Sequence, residues 1–314
     1  MTRLRIGTRG SALALWQANH VRERLGQLHG VEAELVRIRT AGDRFQAVSV
    51  AQIGAEAGTK GVFIKEIEDA LLADSVDLAV HSMKDVPTEI PCGLVFPAIT
   101  EREDARDCLI SRKGQSFKNL PPGSRIGTSS LRRQAQLRHG RQDLDVADLR
   151  GNVDTRLAKL AAGEFDAIVL AVAGVSRLGA SERIAQILPA EIMLPAVGQG
   201  ALGIETRADD QSTSKLVAAL DDPETRVCVT AERALLRELE GGCQVPLGAW
   251  ARLVNGEIHL DACVLSPDGK ECLRSDASGP AANAEQIGRQ LGQALIGKGA
   301  DKILRLVGRS VGQN

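Results

Sequence analysis

At 314 residues, 43% hydrophobic and 25% charged, the chain is too long for one compact domain and apolar enough to bury several cores, so two or three domains are expected. A formal net charge of -1 excludes a general nucleic-acid binder, which would show a basic excess, and no apolar run reaches the length of a membrane span. Six cysteines without paired metal-ligand spacings suggest neither a zinc site nor a disulfide framework; with no apolar leader before the first strand, the reading is a cytoplasmic protein with reduced thiols.

Residues 3–8 read as a short strand. Ser11 then caps a helix whose one face carries Leu13, Trp16, Val21, Leu25 and Leu28 and which stops near Gly30. A strand is expected at 34–39. Residues 41–61 are polar and glycine-rich and read as a long mobile loop. A helix follows over 62–73, with Phe63, Ile67, Ala70 and Leu71 inward, then strands at 77–80 and 94–99.

The pattern restarts at 125–128 (strand), 130–138 (helix), 144–149 (strand), 153–161 (helix) and 167–171 (strand). Alternation at this spacing predicts parallel sheets flanked by helices. Residues 195–203 break it, and 201–206 supply one more strand. Beyond Asp221 the order changes to a long helix over 223–240, strands at 247–253 and 258–265, and a helix over 284–296. The fold class is α/β, with two lobes and a small α+β C-terminal domain. The expected division is 1–99 with 200–217, then 100–199, then 218–314.

Chemistry is expected where strands end, since open α/β sheets bind ligands there. Three segments put polar groups at such ends: Thr8-Arg9-Gly10-Ser11, the stretch from His81 through Ser82, Lys84 and Asp85 to Pro87, and Gly127-Thr128-Ser129-Ser130-Leu131-Arg132-Arg133. In the third, hydroxyls and backbone N–H groups at a helix start meet two arginines, a ready site for an anion. Each admits a plainer role: Ser129 or Ser130 as a helix cap, solvated arginines, Lys84–Asp85 as an exposed ion pair, His81 as a satisfied structural histidine. Arginine outnumbers lysine about three to one, and Arg150, Arg156 and Arg177 follow or lie near successive strand ends of one lobe. A cleft so lined holds a ligand bearing several carboxylates. Cys243 stands apart: Gly241 and Gly242 end the long helix, Pro246 prevents its resumption, and the thiol is presented on the turn between. Cys92, Cys108, Cys228, Cys263 and Cys272 read as small core hydrophobes.

Five motifs in order along nearly the whole chain resemble the hydroxymethylbilane synthase (porphobilinogen deaminase) family: Arg-Ile-Gly-Thr-Arg-Gly-Ser from Arg5, His-Ser-Met-Lys-Asp-Val-Pro from His81, Gly-Thr-Ser-Ser-Leu-Arg-Arg from Gly127, Leu-Arg-Gly-Asn-Val-Asp-Thr-Arg from Leu149, and Glu-Gly-Gly-Cys-Gln-Val-Pro from Glu240. The resemblance implies two lobes like the type II periplasmic binding proteins plus a third domain. It implies a dipyrromethane cofactor joined by a thioether to Cys243. Four porphobilinogen molecules are then added head to tail with loss of ammonia, and hydrolysis releases the linear tetrapyrrole. Asp85 matches the catalytic aspartate. Ser82, Lys84, Thr128, Ser129, Ser130, Arg132, Arg133 and Arg150 match cofactor-binding positions, and Arg9, Ser11, Arg156, Arg177, Lys60 and Gln199 match substrate-binding positions. No metal and no protein, nucleic-acid or membrane partner is implied, and a monomer is.

The family usually reads Lys-Ile-Gly-Gly-Lys-Gly before its Phe-containing helix. Here residues 52–61 read Gln-Ile-Gly-Ala-Glu-Ala-Gly-Thr-Lys-Gly, a longer loop without the first lysine. A bilobal anion-binding protein would share the fold but needs no presented thiol. A cysteine hydrolase would want a base near Cys243, and no histidine lies close to it in sequence.

Overall fold

The computed structural model describes residues 3–40, 64–239 and 245–311, the side chains of 306–311 excepted. The chain divides into two compact units, residues 1–103 with 201–226 and residues 104–200 with 227–314.

In the first unit, β1 (Leu4–Thr8) leads through the Ser11 cap into α1 (Ala12–His29), closed by Gly30 in the left-handed region at φ 63°. There follow β2 (Ala33–Arg37), α2 (Lys65–Leu72), β3 (Leu78–Ser82) and β4 (Leu94–Ile99). β1 pairs in parallel with β2 and with β3. The fifth strand of this sheet, Leu202–Arg207, arrives only after the second lobe has been traversed, and lies antiparallel between β3 and β4. Leu4, Ile6, Leu78, Val80 and Ile204 fill the core on one face against α1; on the other, Ile67 and Leu71 of α2 pack with Val76, Ala79 and Leu94.

The second unit begins with β5 (Asp107–Ser111), β6 (Arg125–Gly127), α3 (Leu131–Gly140), β7 (Asp145–Ala147), α4 (Val153–Ala161), β8 (Ala167–Ala171), α5 (Val172–Arg177) and β9 (Gln186–Ile187). Its sheet runs β7-β6-β8-β5-β9, with β5 antiparallel to β8. With Leu202–Arg207 as β10, the first sheet runs β2-β1-β3-β10-β4, the same plan of three parallel strands followed by an antiparallel fourth. After α6 (Gln211–Ala218) and α7 (Pro223–Glu238), the chain forms an antiparallel meander of β11 (Leu247–Val254), β12 (Glu257–Leu265) and β13 (Cys272–Pro280), then α8 (Ala284–Gly297) and α9 (Ala300–Val311). Leu235 and Leu239 at the end of α7, with Leu291 and Leu295 of α8, bury the meander's inner residues Ala249, Leu260 and Val264. Ala135 and Leu194 pack on Cys263 and Leu265, joining meander and second sheet within one unit.

The expected α/β lobes and α+β C-terminal portion are the architecture observed. Sequence reading passed over β5, β9 and β13 and the helices at 172–177, 211–218 and 300–311. β5 is only five residues and wholly buried, without the alternation that marks a half-exposed strand.

Candidate active site

In the first unit the site grows from two adjacent strand ends. The Ser11 hydroxyl accepts the Ala14 N–H at 3.3 Å and so starts α1, while Thr8 Oγ1 donates to the Ala14 carbonyl at 3.1 Å and pins the turn carrying Arg9. β3 ends at Ser82, whose Oγ accepts from Gln17 Nε2 at 2.9 Å. A single 3-10 turn, Met83–Asp85, follows, held by Met83 N–H to the Ala201 carbonyl (3.0 Å) and Val86 N–H to the Met83 carbonyl (3.3 Å). Gly203 of β10 makes room for this turn: a Cβ there would strike the Met83 sulfur and sit 2.8 Å from the Phe96 ring. Met83 is thus buried, and Asp85 is exposed. Arg9, Ser11, Gln17, His81, Ser82 and Asp85, with Ile64 and Ile67, line one pocket of about 70 Å³. Of the predicted residues, Arg9, Ser11, Ser82 and Asp85 therefore meet. Lys84 lies half-buried on the same turn.

The second unit shows a different arrangement from the open anion site expected. Ser130 caps α3 by accepting the Arg133 N–H (3.5 Å), and Ser129 Oγ donates to the Leu149 carbonyl (3.0 Å). Thr128 is fully buried, its Oγ1 accepting the Ser130 N–H at 3.3 Å. Arg132 and Arg133 are 4% and 5% exposed, and both turn onto Asp107, which is 0% exposed. Arg132 Nη1 donates to Asp107 Oδ2 (2.6 Å) and to the Leu194 carbonyl (2.6 Å). Arg133 Nε and Nη2 donate to Oδ1 (3.0 and 2.7 Å), and its Nη1 to the Val169 carbonyl (3.0 Å). Gln199 Nε2 donates to the same Oδ1 (3.0 Å) and to the Ala105 carbonyl (2.7 Å).

Burial alone would push the Asp107 carboxyl up, but the charges of Arg132 and then Arg133, with hydrogen bonds from Arg132 and Gln199, hold it well below the usual carboxylate range. Two guanidiniums face one carboxylate, so the cluster keeps one positive charge in excess. Arg150, Arg156 and Arg177 are half-buried. Arg150 lies 3.8 Å from Asp148, Arg156 Nε donates to the Gly151 carbonyl (2.8 Å), and Arg177 Nη2 donates to the Gly200 carbonyl (2.7 Å).

Asp107, Gln17 and the partners of His81 were missed by sequence reasoning. For Asp107 a signal existed: a charge opening the run Cys108, Leu109, Ile110 must be paired if that run is a buried strand. Cys243 and Lys60, with the rest of 41–63 and 240–244, lie outside the described residues.

The sequence model of a family described as "Porphobilinogen deaminase, dipyromethane cofactor binding domain" matches residues 4–215, and that of "Porphobilinogen deaminase, C-terminal domain" matches 226–297. The chain belongs to the porphobilinogen deaminase family. Porphobilinogen deaminase of Syntrophotalea carbinolica is 52% identical over 302 residues, covering 96% of this chain and 95% of that one. The porphobilinogen deaminase of Syntrophobacter fumaroxidans is 51% identical over 308 residues, covering 98% of each. Among solved structures the methionine-binding protein MetQ aligns with a TM-score of 0.45 at 14% identity, over 69% of this chain and 89% of that one. Porphobilinogen deaminases are transferases of tetrapyrrole synthesis, and the first matched domain is the one that binds their dipyrromethane cofactor. No helix among the described residues is long and apolar enough to cross a membrane.

Proposed function

We propose that this porphobilinogen deaminase condenses four porphobilinogen molecules head to tail, with Asp85 as its catalytic carboxylate. The observation carrying the assignment is the exposed Asp85 side chain on a pocket it shares with Arg9, Ser11 and Ser82. Porphobilinogen is a pyrrole bearing an aminomethyl group, an acetate and a propionate. Arg9 supplies a cation for a carboxylate arm, and Ser11 and Ser82 supply hydroxyls. The Asp85 carboxylate accepts a hydrogen bond from the pyrrole N–H. The C–N bond of the aminomethyl group breaks with its electron pair leaving as ammonia, and the ring nitrogen feeds density to the methylene. Asp85 stabilises that cation electrostatically. As the new C–C bond forms, the acceptor carbon loses its proton, which in this reading Asp85 accepts and passes on; released ammonia takes up one proton as ammonium.

The dipyrromethane group, when bound through Cys243, supplies the nucleophilic pyrrole carbon at which extension starts. Its four carboxylates suit the donor set of the second unit. Arg150, Arg156 and Arg177 are half-exposed there, the buried Arg132–Arg133–Asp107 cluster of the same unit carries an unbalanced positive charge, and Ser129 and Ser130 stand at the start of α3. In this reading Thr128 and Gln199 act from inside the protein, through the hydrogen bonds that fix Ser130 and Asp107. Lys84 and Lys60 complete the cations offered to ligand carboxylates. The proposal extends to a cytoplasmic monomer, in line with the scattered cysteine spacing of the sequence, which suggests no disulfide framework.

The test is the intact mass of the purified protein beside Cys243→Ser. An excess equal to two linked pyrrole units in the wild type, absent in the variant, supports the reading. A bare mass from cells supplied with ample porphobilinogen overturns it.

A further inference from the structure

Arg177 takes its position from a turn at residues 195–200. Its Nη2 donates to the Gly200 carbonyl at 2.7 Å, and the neighbouring Gln199 anchors the turn by donating to Asp107 and to the Ala105 carbonyl. Gly198 and Gly200 both lie in the left-handed region, at φ 71° and 93°. Glycine enters that region without steric cost and leaves it as easily, so the turn needs bonds to keep one shape. From within, the Gln199 N–H closes it onto the Ala196 carbonyl at 3.0 Å.

From outside, the turn is held by Glu232 of α7, a fully buried carboxylate. Its Oε2 accepts the Gly198 N–H at 2.7 Å, and its Oε1 accepts the Ala251 N–H at 2.8 Å. Ala251 belongs to β11, the edge strand that pairs with β12 on its other side. Two residues earlier, the Ala249 N–H reaches the Pro195 carbonyl at 2.9 Å. Residues two apart on a strand aim their N–H groups at the same edge. That edge of β11 is therefore satisfied by the turn and by Glu232 together. Two N–H donors arrive at once, one on each oxygen of Glu232. A carboxylate accepts both, whereas a glutamine of the same shape accepts one and turns its NH2 group toward the other.

We infer that Glu232 is a positioning residue for Arg177: by accepting the Gly198 N–H it fixes the turn whose Gly200 carbonyl holds that guanidinium. This rests on the porphobilinogen reading, in which Arg177 receives a carboxylate arm of the ligand. Gly198 and Gly200 are two residues apart, so a shift of the first passes through one residue to the carbonyl that sets Arg177. Glu232 and Ala251 also lie on the two elements between which Cys243 falls in sequence. One side chain thus ties both flanks of the attachment segment to the turn that sets a ligand-binding cation.

The test measures initial rates against porphobilinogen concentration for the full-length protein, per cofactor-loaded molecule counted by intact mass, at a temperature where every variant is folded. Glu232→Gln should raise KM about ten-fold, less than the hundred-fold that a full ångström of misplacement can cost. Its kcat should stay within about two-fold of wild type, because the Asp85 turn has anchors of its own at Met83 and Ala201. Leu291→Ala is the control for lost stability: it truncates a core side chain of the same unit and removes none of these hydrogen bonds. It should lower the melting temperature at least as far and leave KM unchanged. Arg177→Gln should raise KM as well, and adding Glu232→Gln to it should change KM little further, since both act through one guanidinium. An unmoved KM in Glu232→Gln, an equal rise in Leu291→Ala, or effects of Glu232→Gln and Arg177→Gln that multiply in full would each overturn the inference alone. A wild type that consumes no porphobilinogen removes the porphobilinogen reading, and the inference with it.

Discussion

Asp107→Ala is the sharpest perturbation of the second unit. The carboxylate is completely buried and accepts four hydrogen bonds of 2.6 to 3.0 Å, three from guanidinium groups. Deleting it leaves Arg132 and Arg133 as buried cations facing each other, and orphaning one side of a buried pair costs about 3–5 kcal/mol. Against a typical margin of about 5–15 kcal/mol this is severe. For a unit of this size it lowers the melting temperature by roughly 10 °C. Asp107→Asn keeps the shape and two acceptor directions but loses the charge, and should fall between. Thermal and urea unfolding measure the loss. The decisive comparison adds Arg132→Met and Arg133→Met to Asp107→Ala. If orphaned charge is the cost, the triple variant recovers most of the loss even though it has fewer hydrogen bonds. A triple variant less stable than Asp107→Ala, or a single variant within about 1 kcal/mol of wild type, would refute the reasoning. The pH dependence follows from the depressed pKa. The Asp107 contribution is complete above its unfolded value near 3.8, so the penalty stays constant from pH 5 to 8 and shrinks only in stronger acid.

Asp85→Asn should leave unfolding within about 0.5 kcal/mol of wild type, because the side chain is exposed, while turnover of porphobilinogen falls at least about 100-fold; near-normal rates would remove its assignment. Gly203→Ala drives a Cβ against the Met83 sulfur and Phe96, costing about 1–3 kcal/mol and displacing the turn that carries Asp85. Adding Met83→Ala should restore part of the stability; no restoration would show that the clash lies elsewhere.

The turn that carries Asp85 was legible in sequence because its signals are local. Ser11 and Ser130 announce helix starts, and the Ser82–Pro87 segment can only follow a strand as a tight turn. What escaped was set by pairs distant in the chain. Asp107 precedes its arginines by 25 and 26 positions, and His81 precedes Glu205 by 124. Nothing near any of them records the other. Arg132 and Arg133 were read as facing a ligand because a basic pair at a helix start looks the same whether it turns outward or inward. The β5 carboxylate that both guanidiniums meet, Asp107, lies outside that local signal. β13 hid for another reason: its sequence, Cys-Leu-Arg-Ser-Asp-Ala-Ser-Gly-Pro, alternates small or polar residues with half-covered ones and ends in strand breakers.

The interruption of the first sheet bears on how the protein is made. β3 and β4 are complete by Ile99, yet the strand that joins them begins at Leu202. On a ribosome adding about 5–20 residues per second, the gap lasts roughly 5–20 s, far longer than helices and hairpins need to form. During that interval β3 and β4 each present an unpaired edge, while the β5–β9 sheet, continuous in the chain, gains its last strand at Ile187, before Leu202 is made. The lobe synthesised first therefore closes second, and its two waiting edges are where a nascent-chain chaperone has most to protect.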